Sequence, residues 1–273
     1  MNEQRPSTLL AELTWEEAGQ AARENRRVII PTGATEAHGQ HLPLDVDTHQ
    51  AATVAEKLAE RVGALVAPAL PYGYSTTWMG FPGTITLSSE TFQNVLVEVC
   101  SSLVEHGFYR LLILNGHRPN GTACDCAARA VVDAHAPRRP VEVTAVSYWE
   151  PAAAAVHALR KSEVGGMGHA CELETSFQMA TRPHLVKMER LEGVTPPLVK
   201  WDLVAPVEPS RTYMSWPAAA DGHPGIFGDP FSASPESGRK FLDAIVDGLV
   251  AMLESIERGG GSYSARQPAH DPR

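Results

Sequence analysis

The stretch RVIIPTGATEAHGQHLPLDVDTH, residues 27–49, runs from a short apolar segment straight into a loop dense in acids and histidines. Its opening, residues 27–32, is nearly continuous in apolar character rather than alternating, the pattern of a strand buried on both faces of a parallel sheet. The same texture returns at residues 65–70, 111–115 and 141–148. Between these runs lie segments of helical period. Ala51, Val54, Ala55, Leu58 and Val62 form one apolar face, and Phe92, Val95, Leu96, Val99 and Leu103 form another, opened by Ser88 as N-cap and closed near Gly107. A third helix follows Asn120, with Ala123, Ala127 and Val131 on one side. A long last helix is predicted from Pro235 to about Ile256, because proline suits the first helical position. Strand alternating with helix predicts an α/β fold, a three-layer sandwich with a mostly parallel central sheet.

One domain over residues 1–258 accounts for the pattern, with 259–273 expected to be a disordered tail. Residues 194–230 are rich in proline and glycine and carry little periodicity, so they read as a long functional or interface loop. The apolar runs are too short to cross a bilayer, and the N-terminus lacks the basic-then-apolar layout of a secretory signal. The expected location is the cytoplasm, with no membrane partner. Cys100, Cys124, Cys126 and Cys171 form no CxxC pair and are expected as free thiols. A net charge of −9 and pI near 5.7 argue against a nucleic-acid surface. A small or peptide-like substrate is expected instead.

Ligand sites of α/β sheets lie at the carboxyl ends of strands, and the loop after residue 32 is such a place. In an extended segment Glu36 and His38, two apart, project to the same face. A carboxylate and an imidazole converging this way can share one metal ion or bridge two. Asp47 adds a further oxygen donor, with Asp45 as its competitor. In LLILNGHRPNG, residues 111–121, a buried strand runs into a turn that delivers His117. A third cluster, GGMGHACELETS, residues 165–176, sets His169, Glu172 and Glu174 beside a glycine-rich entry. His41 and His49 neighbour the first cluster, while Trp78 and Trp149 are candidate pocket walls or core residues.

Together these clusters resemble the creatininase family. The likeness rests on Glu36-x-His38, His41-Leu42-Pro43 and Asp47; on Asn115-Gly116-His117; and on His169 followed by Glu174-Thr175-Ser176. Phe81–Thr84 (FPGT) and Ser147–Trp149 (SYW) also look like family segments, and the resemblance spans roughly residues 28–185. It implies an α/β fold, a centre of two divalent ions (zinc, manganese or iron), hydrolysis of a cyclic or linear amide, and a homohexamer. It favours Asp47 over Asp45 as a ligand. Creatininase proper is similar in carrying a glutamate two residues after the NGH histidine, where this chain has Pro119. Other branches resemble this chain in supplying that carboxylate two residues before the ETS glutamate, which implies Glu172 as the fifth ligand.

The resulting expectation is a metal-dependent amidohydrolase. Glu36, His38, Asp47, His117 and Glu172 hold the metals, Asp47 bridges them, and a metal-activated water attacks the amide carbon. His169 gives a proton to the departing nitrogen, and Glu174 orients it or a ligand. A formamide deformylase, a short-peptide peptidase and a non-catalytic metal-binding protein are the alternatives. Trp201, Tyr213, Trp216 and Phe227 are candidate interface aromatics for the assembly.

Overall fold

A computed structural model describes residues 7–197, 202, 204 and 222–259. The element order is α1 (Trp15–Arg23), β1 (Val28–Thr32), α2 (Val46–Val62), β2 (Leu65–Val66), α3 (Ser89–Glu105), β3 (Arg110–Asn115), α4 (Gly121–His135), β4 (Glu142–Ser147), α5 (Ala153–Leu159), α6 (Glu172–Thr181) and α7 (Pro235–Gly259). The four strands form a parallel sheet in the order β2-β1-β3-β4. Val28 pairs with Leu65 on one side and Leu111 on the other, and Asn115 pairs with both Thr32 and Ser147.

Successive strand residues feed opposite cores, which is why the runs are continuously apolar. Ile29, Leu112 and Leu114 pack with α2, α5, α6 and α7, through residues such as Leu58, Phe177, Phe241 and Leu249. Val28, Ile30, Leu111 and Ile113 pack with α3 and α4 through Phe92, Leu96 and Val131. Two helical layers on one sheet are the three-layer sandwich the alternation predicts. Each fully buried aliphatic side chain removes enough apolar surface from water to contribute roughly 1.5–3 kcal/mol.

Local rules explain most element ends. The Ser88 side chain accepts from the Thr91 amide and opens α3 as an N-cap. Helix α1, which periodicity missed, is announced by a capping box in which Thr14 and Glu17 satisfy each other's backbone amides. Strand β2 is shorter than residues 65–70, because Pro68 has no N–H for the ladder; contact resumes only as an isolated bridge between Thr32 and Leu70. The ELET segment opens α6, and its residues are buried rather than solvated. The tail beyond residue 259 and Trp201, Tyr213 and Trp216 lie outside the described residues. Among the described residues, no helix is long and apolar enough to cross a membrane.

Because β1 is flanked by β2 on one side and β3 on the other, successive connections leave the sheet in opposite directions between β1 and β3. A crevice opens there at the strands' carboxyl ends. The loops after β1 and β3 carry the first two clusters.

Candidate metal centre

Two glycines let the start of α2 press against the strand ends. A Cβ on Gly33 would fall 2.4 Å from the Thr48 backbone, and one on Gly116 would fall 2.5 Å from the Asp47 carbonyl oxygen. Asp47 therefore stands in the first turn of α2, between the loops bearing Glu36 and His117. Asn115 fixes the second loop: its Oδ1 accepts from the His117 amide at 3.0 Å, and its Nδ2 donates to the His117 carbonyl at 2.8 Å. Pro119 lies in the short 3-10 turn Arg118–Asn120 directly after it. Asn120 in that turn donates to the Gly33 carbonyl and accepts from the Tyr74 amide, tying both loops together.

The donors that converge are Glu36, His38, Asp47, His117, His169 and Glu174. They form three overlapping groups: Glu36, Asp47 and His117; His38, Asp47 and Glu174; and Glu36, His38 and His169. Within each group one donor atom per residue lies within 4.8 Å of the others. Glu36 and His38 are completely buried, and Asp47, His117 and Glu174 nearly so. Backbone carbonyls choose the tautomers. His117 Nε2 lies 3.0 Å from the Tyr74 carbonyl oxygen, so it carries the proton and Nδ1 faces Asp47 Oδ2 at 2.9 Å. His38 Nδ1 lies 3.1 Å from the Glu36 carbonyl oxygen, which leaves Nε2 facing Asp47 Oδ1 at 3.2 Å. Each imidazole thus turns the ring nitrogen that can coordinate toward the carboxylates.

The electrostatics are those of a cation site. Burial disfavours the Glu36 and Glu174 carboxylates, and despite the neighbouring histidines both are raised to about 7. Burial works against charge on His38 and His117 too, but the carboxylates around them outweigh it, raising the first to about 10 and the second to about 9. Asp47, also opposed by burial, is lowered by His38 and His117. Among the described residues, neither oxygen of the buried Glu36 carboxylate has a hydrogen-bond partner of good geometry. An unsatisfied buried carboxylate is costly unless something cationic completes it. Mixed oxygen and nitrogen donors with this orphaned carboxylate fit divalent ions.

The fifth-ligand expectation needs correction. Glu172 is fully buried, yet its carboxylate accepts from the amides of Lys161 (2.9 and 3.1 Å) and Ser162 (2.8 Å) and takes no part in the donor groups. Residues two apart on a helix point about 200° apart, so only one of Glu172 and Glu174 can face the crevice. It is Glu174, whose Oε2 lies 3.9 Å from His38 Nε2 and accepts from the Ala170 amide. Glu174 is thus among the donors, not behind them.

The other candidates separate cleanly. Asp45 is engaged by both terminal nitrogens of Arg182, at 2.7 and 2.9 Å, and faces away from the cluster. His41 and His49 bond to Thr175 and Thr181. Trp149 packs edge-on to Tyr148 in the core below, whereas Trp78 stacks on His169 at 4.2 Å. His169 itself stands between Trp78 and His38, with Nε2 2.7 Å from the Ala37 carbonyl oxygen and Nδ1 3.5 Å from Glu36. Burial, then the positive His38, push its pKa well down, so the ring is neutral. Its backbone pairs with Phe227, the one predicted interface aromatic among the described residues.

Sequence reasoning missed Gln50. It is fully buried, donates to the Glu174 carbonyl at 3.2 Å and accepts from the Tyr148 hydroxyl at 2.5 Å. Its position three residues after Asp47, on the same face of α2, was the available signal.

The creatininase family profile, described as creatinine amidohydrolase, matches residues 11–253. The creatinine amidohydrolase of Pseudomonas putida is 32% identical over 257 residues, covering 89% of this chain and 95% of that protein. The mycofactocin precursor peptide peptidase of Mycolicibacterium smegmatis (strain ATCC 700084 / mc(2)155) is 32% identical over 234 residues, covering 83% of this chain and 84% of that one. Among solved structures, a creatininase superposes with a TM-score of 0.77 at 28% identity, covering 96% of this chain and 100% of that one. A zinc-zinc form of a creatininase variant (TM-score 0.76, 28% identity) and a manganese creatininase (0.76, 27%) each cover 93% of this chain and 99% of their own.

Proposed function

The chain belongs to the creatininase family and is a metal-dependent amidohydrolase acting on a C–N bond, and we propose that it holds two divalent ions per subunit through Glu36, His38, Asp47, His117 and Glu174. Zinc and manganese are the candidate ions, and Asp47, common to both donor groups, would serve both. The observation that carries this reading is the pair of donor groups meeting at Asp47, one with Glu36 and His117, the other with His38 and Glu174. It is supported by the Glu36 oxygens, which have no hydrogen-bond partner of good geometry among the described residues.

When bound, such ions supply Lewis acidity, making a water more acidic and polarising a carbonyl oxygen. The chain's own residues do the rest. Tyr74 and Glu36, through their carbonyls, keep the ring protons of His117 and His38 away from the donor cluster. The Ala37 carbonyl does the same for His169 Nε2. That leaves Nδ1 of His169, neutral and facing Glu36, as the atom that takes a proton and passes it to the departing nitrogen. Trp78 covers the ring and excludes water from that side.

The substrate in this reading is a small amide, cyclic or linear. Elemental analysis of purified protein, paired with a screen of cyclic amides, ureides, formamides and short peptides before and after chelation, tests it. Activity that disappears on chelation and returns with Zn²⁺ or Mn²⁺ is the expected result. Full turnover by protein shown to be metal-free would reject the reading. Turnover confined to peptides would move the substrate class toward that of the peptidase relatives. We further infer a homo-oligomer, a hexamer, to be checked by sedimentation, and a cytoplasmic location, supported by four cysteines that are all free.

A further inference from the structure

The segment that delivers His169 is held by two buried carboxylates that the chemistry above does not use. Residues 160–168 connect α5 to His169 without regular structure. Glu172, from the first turn of α6, folds back and accepts from the amides of Lys161 and Ser162 at 2.8–3.1 Å. Asp202, also buried, reaches the same loop from the far side. Its Oδ1 accepts from the amides of Gly165 (2.9 Å) and Met167 (3.1 Å), and its Oδ2 pairs with Arg160 at 2.5 Å. Arg160 is buried as well, and it also donates to the Ser162 hydroxyl at 3.1 Å and to the Glu163 carbonyl. Four amides of one short loop are thereby fixed by side chains, because the loop has no ladder or helix to satisfy them.

Rigidity in this loop matters because of the residues at its end. Ala170 adopts a left-handed backbone with φ of 53°, a conformation that side chains with a Cβ disfavour. Its amide is taken by Glu174. His169 is therefore suspended between a clamped loop and a strained residue that leads into α6. A buried carboxylate is tolerated when it is paired or hydrogen-bonded, and both of these meet that condition through the same loop, the one that leads into His169.

We propose that Glu172 and Asp202 are positioning residues, clamping residues 160–168 so that His169 is presented at the donor cluster. The proposal rests on the reading of His169 as the proton-carrying residue, but its mechanical part stands on the loop alone. Glu172→Gln keeps the volume and one acceptor oxygen. Asp202→Asn is the second variant: one oxygen remains for the Gly165 and Met167 amides while the ion pair with the buried Arg160 is lost, so it loosens the other arm of the clamp and serves where Glu172→Gln does not fold.

Hydrogen exchange, elemental analysis and kinetics together test it. In Glu172→Gln the amides of residues 161–168 should exchange on the order of 10-fold faster than in the parent while those of the sheet are unchanged. Metal content should equal the parent's. With an amide the parent hydrolyses, kcat should fall about 10-fold or more and KM change by less than about 2-fold. In a His169→Ala background the same substitution should cost nothing further in kcat, since its effect passes through His169. Unchanged loop exchange would overturn the clamp, and metal loss in step with activity would make Glu172 a ligand after all. Losses that multiply with His169→Ala would reduce the clamp to a general stability effect. Failure of the metal-dependent reading shows separately, as parent activity that survives chelation.

Discussion

Replacing Glu174 by Gln removes one negative charge from the donor cluster while keeping the side chain's volume. Glu174 is nearly fully buried and its Oε2 stands 3.9 Å from His38 Nε2. Its donor oxygen lies within 4.8 Å of those of His38 and Asp47, so an ion accepted by that group sits on this scale from the lost charge. Two unit charges about 4 Å apart at an effective dielectric near 20 interact by about 4 kcal/mol, and a divalent ion doubles the charge product. The amide oxygen of Gln still coordinates, and desolvation of the carboxylate is no longer opposed, so part of that energy is returned. A net loss of roughly 2.7 kcal/mol, about 100-fold in affinity for one of the two ions, is a conservative expectation. Titration of metal-free protein against a competing chelator, with elemental analysis at each step, would show one site of parental affinity and one weakened by about that factor. The Glu172→Gln protein, measured alongside, should keep both. If Glu174→Gln binds two ions as tightly as the parent, the assignment of Glu174 to the metal set is wrong, and His169, which shares a donor group with Glu36 and His38, takes its place.

Three further outcomes are expected. His169→Ala should lower kcat by about 100-fold or more with metal content retained, as for a proton-transferring residue; proportional loss of metal would make it a ligand. In the metal-free protein Glu36 and Glu174 are raised to about 7, His117 to about 9 and His38 to about 10. All four groups then bind protons more tightly folded than unfolded. Their contribution is fully present at acidic pH and is lost as pH rises through those values, whereas His41, His49 and His169, all lowered by burial, act in the opposite sense only below about 6.5; Tm of the metal-free protein should therefore fall between roughly pH 6.5 and 9. Saturating Zn²⁺ should flatten that slope by replacing the protons, and a metal-free Tm that rises with pH between about 6.5 and 9 would contradict the arrangement. Burial pushes Cys100 and Cys124 up to about 12 and raises Cys171 too, whereas Cys126 is exposed. Native protein should therefore be alkylated rapidly at Cys126 alone, as mass spectrometry would show; rapid modification of Cys100 or Cys124 would contradict the packing of α3 and α4.

How far the sequence reaches is clearest where local chemistry suffices. The continuous apolar runs at β1 and β3 could satisfy their periodicity only between two helical layers, and the Ser88 cap and the proline at the first helical position, Pro235, mark helix starts without reference to anything distant. Glu36, His38 and His117 were legible because each follows such a strand directly, and a strand's carboxyl end is where this architecture opens its crevice. Asp47 was legible up to the competition with Asp45, a choice that motif resemblance made and that Arg182, 137 residues away in sequence, accounts for physically. Local pattern could not decide which way α6 turns its faces. Glu172 and Glu174 are chemically identical and two apart, and nothing in the segment ELET says which looks toward Asp47. The choice is made by the rotation of α6 as Leu173 and Phe177 bury themselves against the sheet side of the fold, and by backbone amides at Lys161 and Ser162 that need an acceptor. The motif spacing carried the residue types of the donor cluster; the packing of one helix decided which carboxylate faces it.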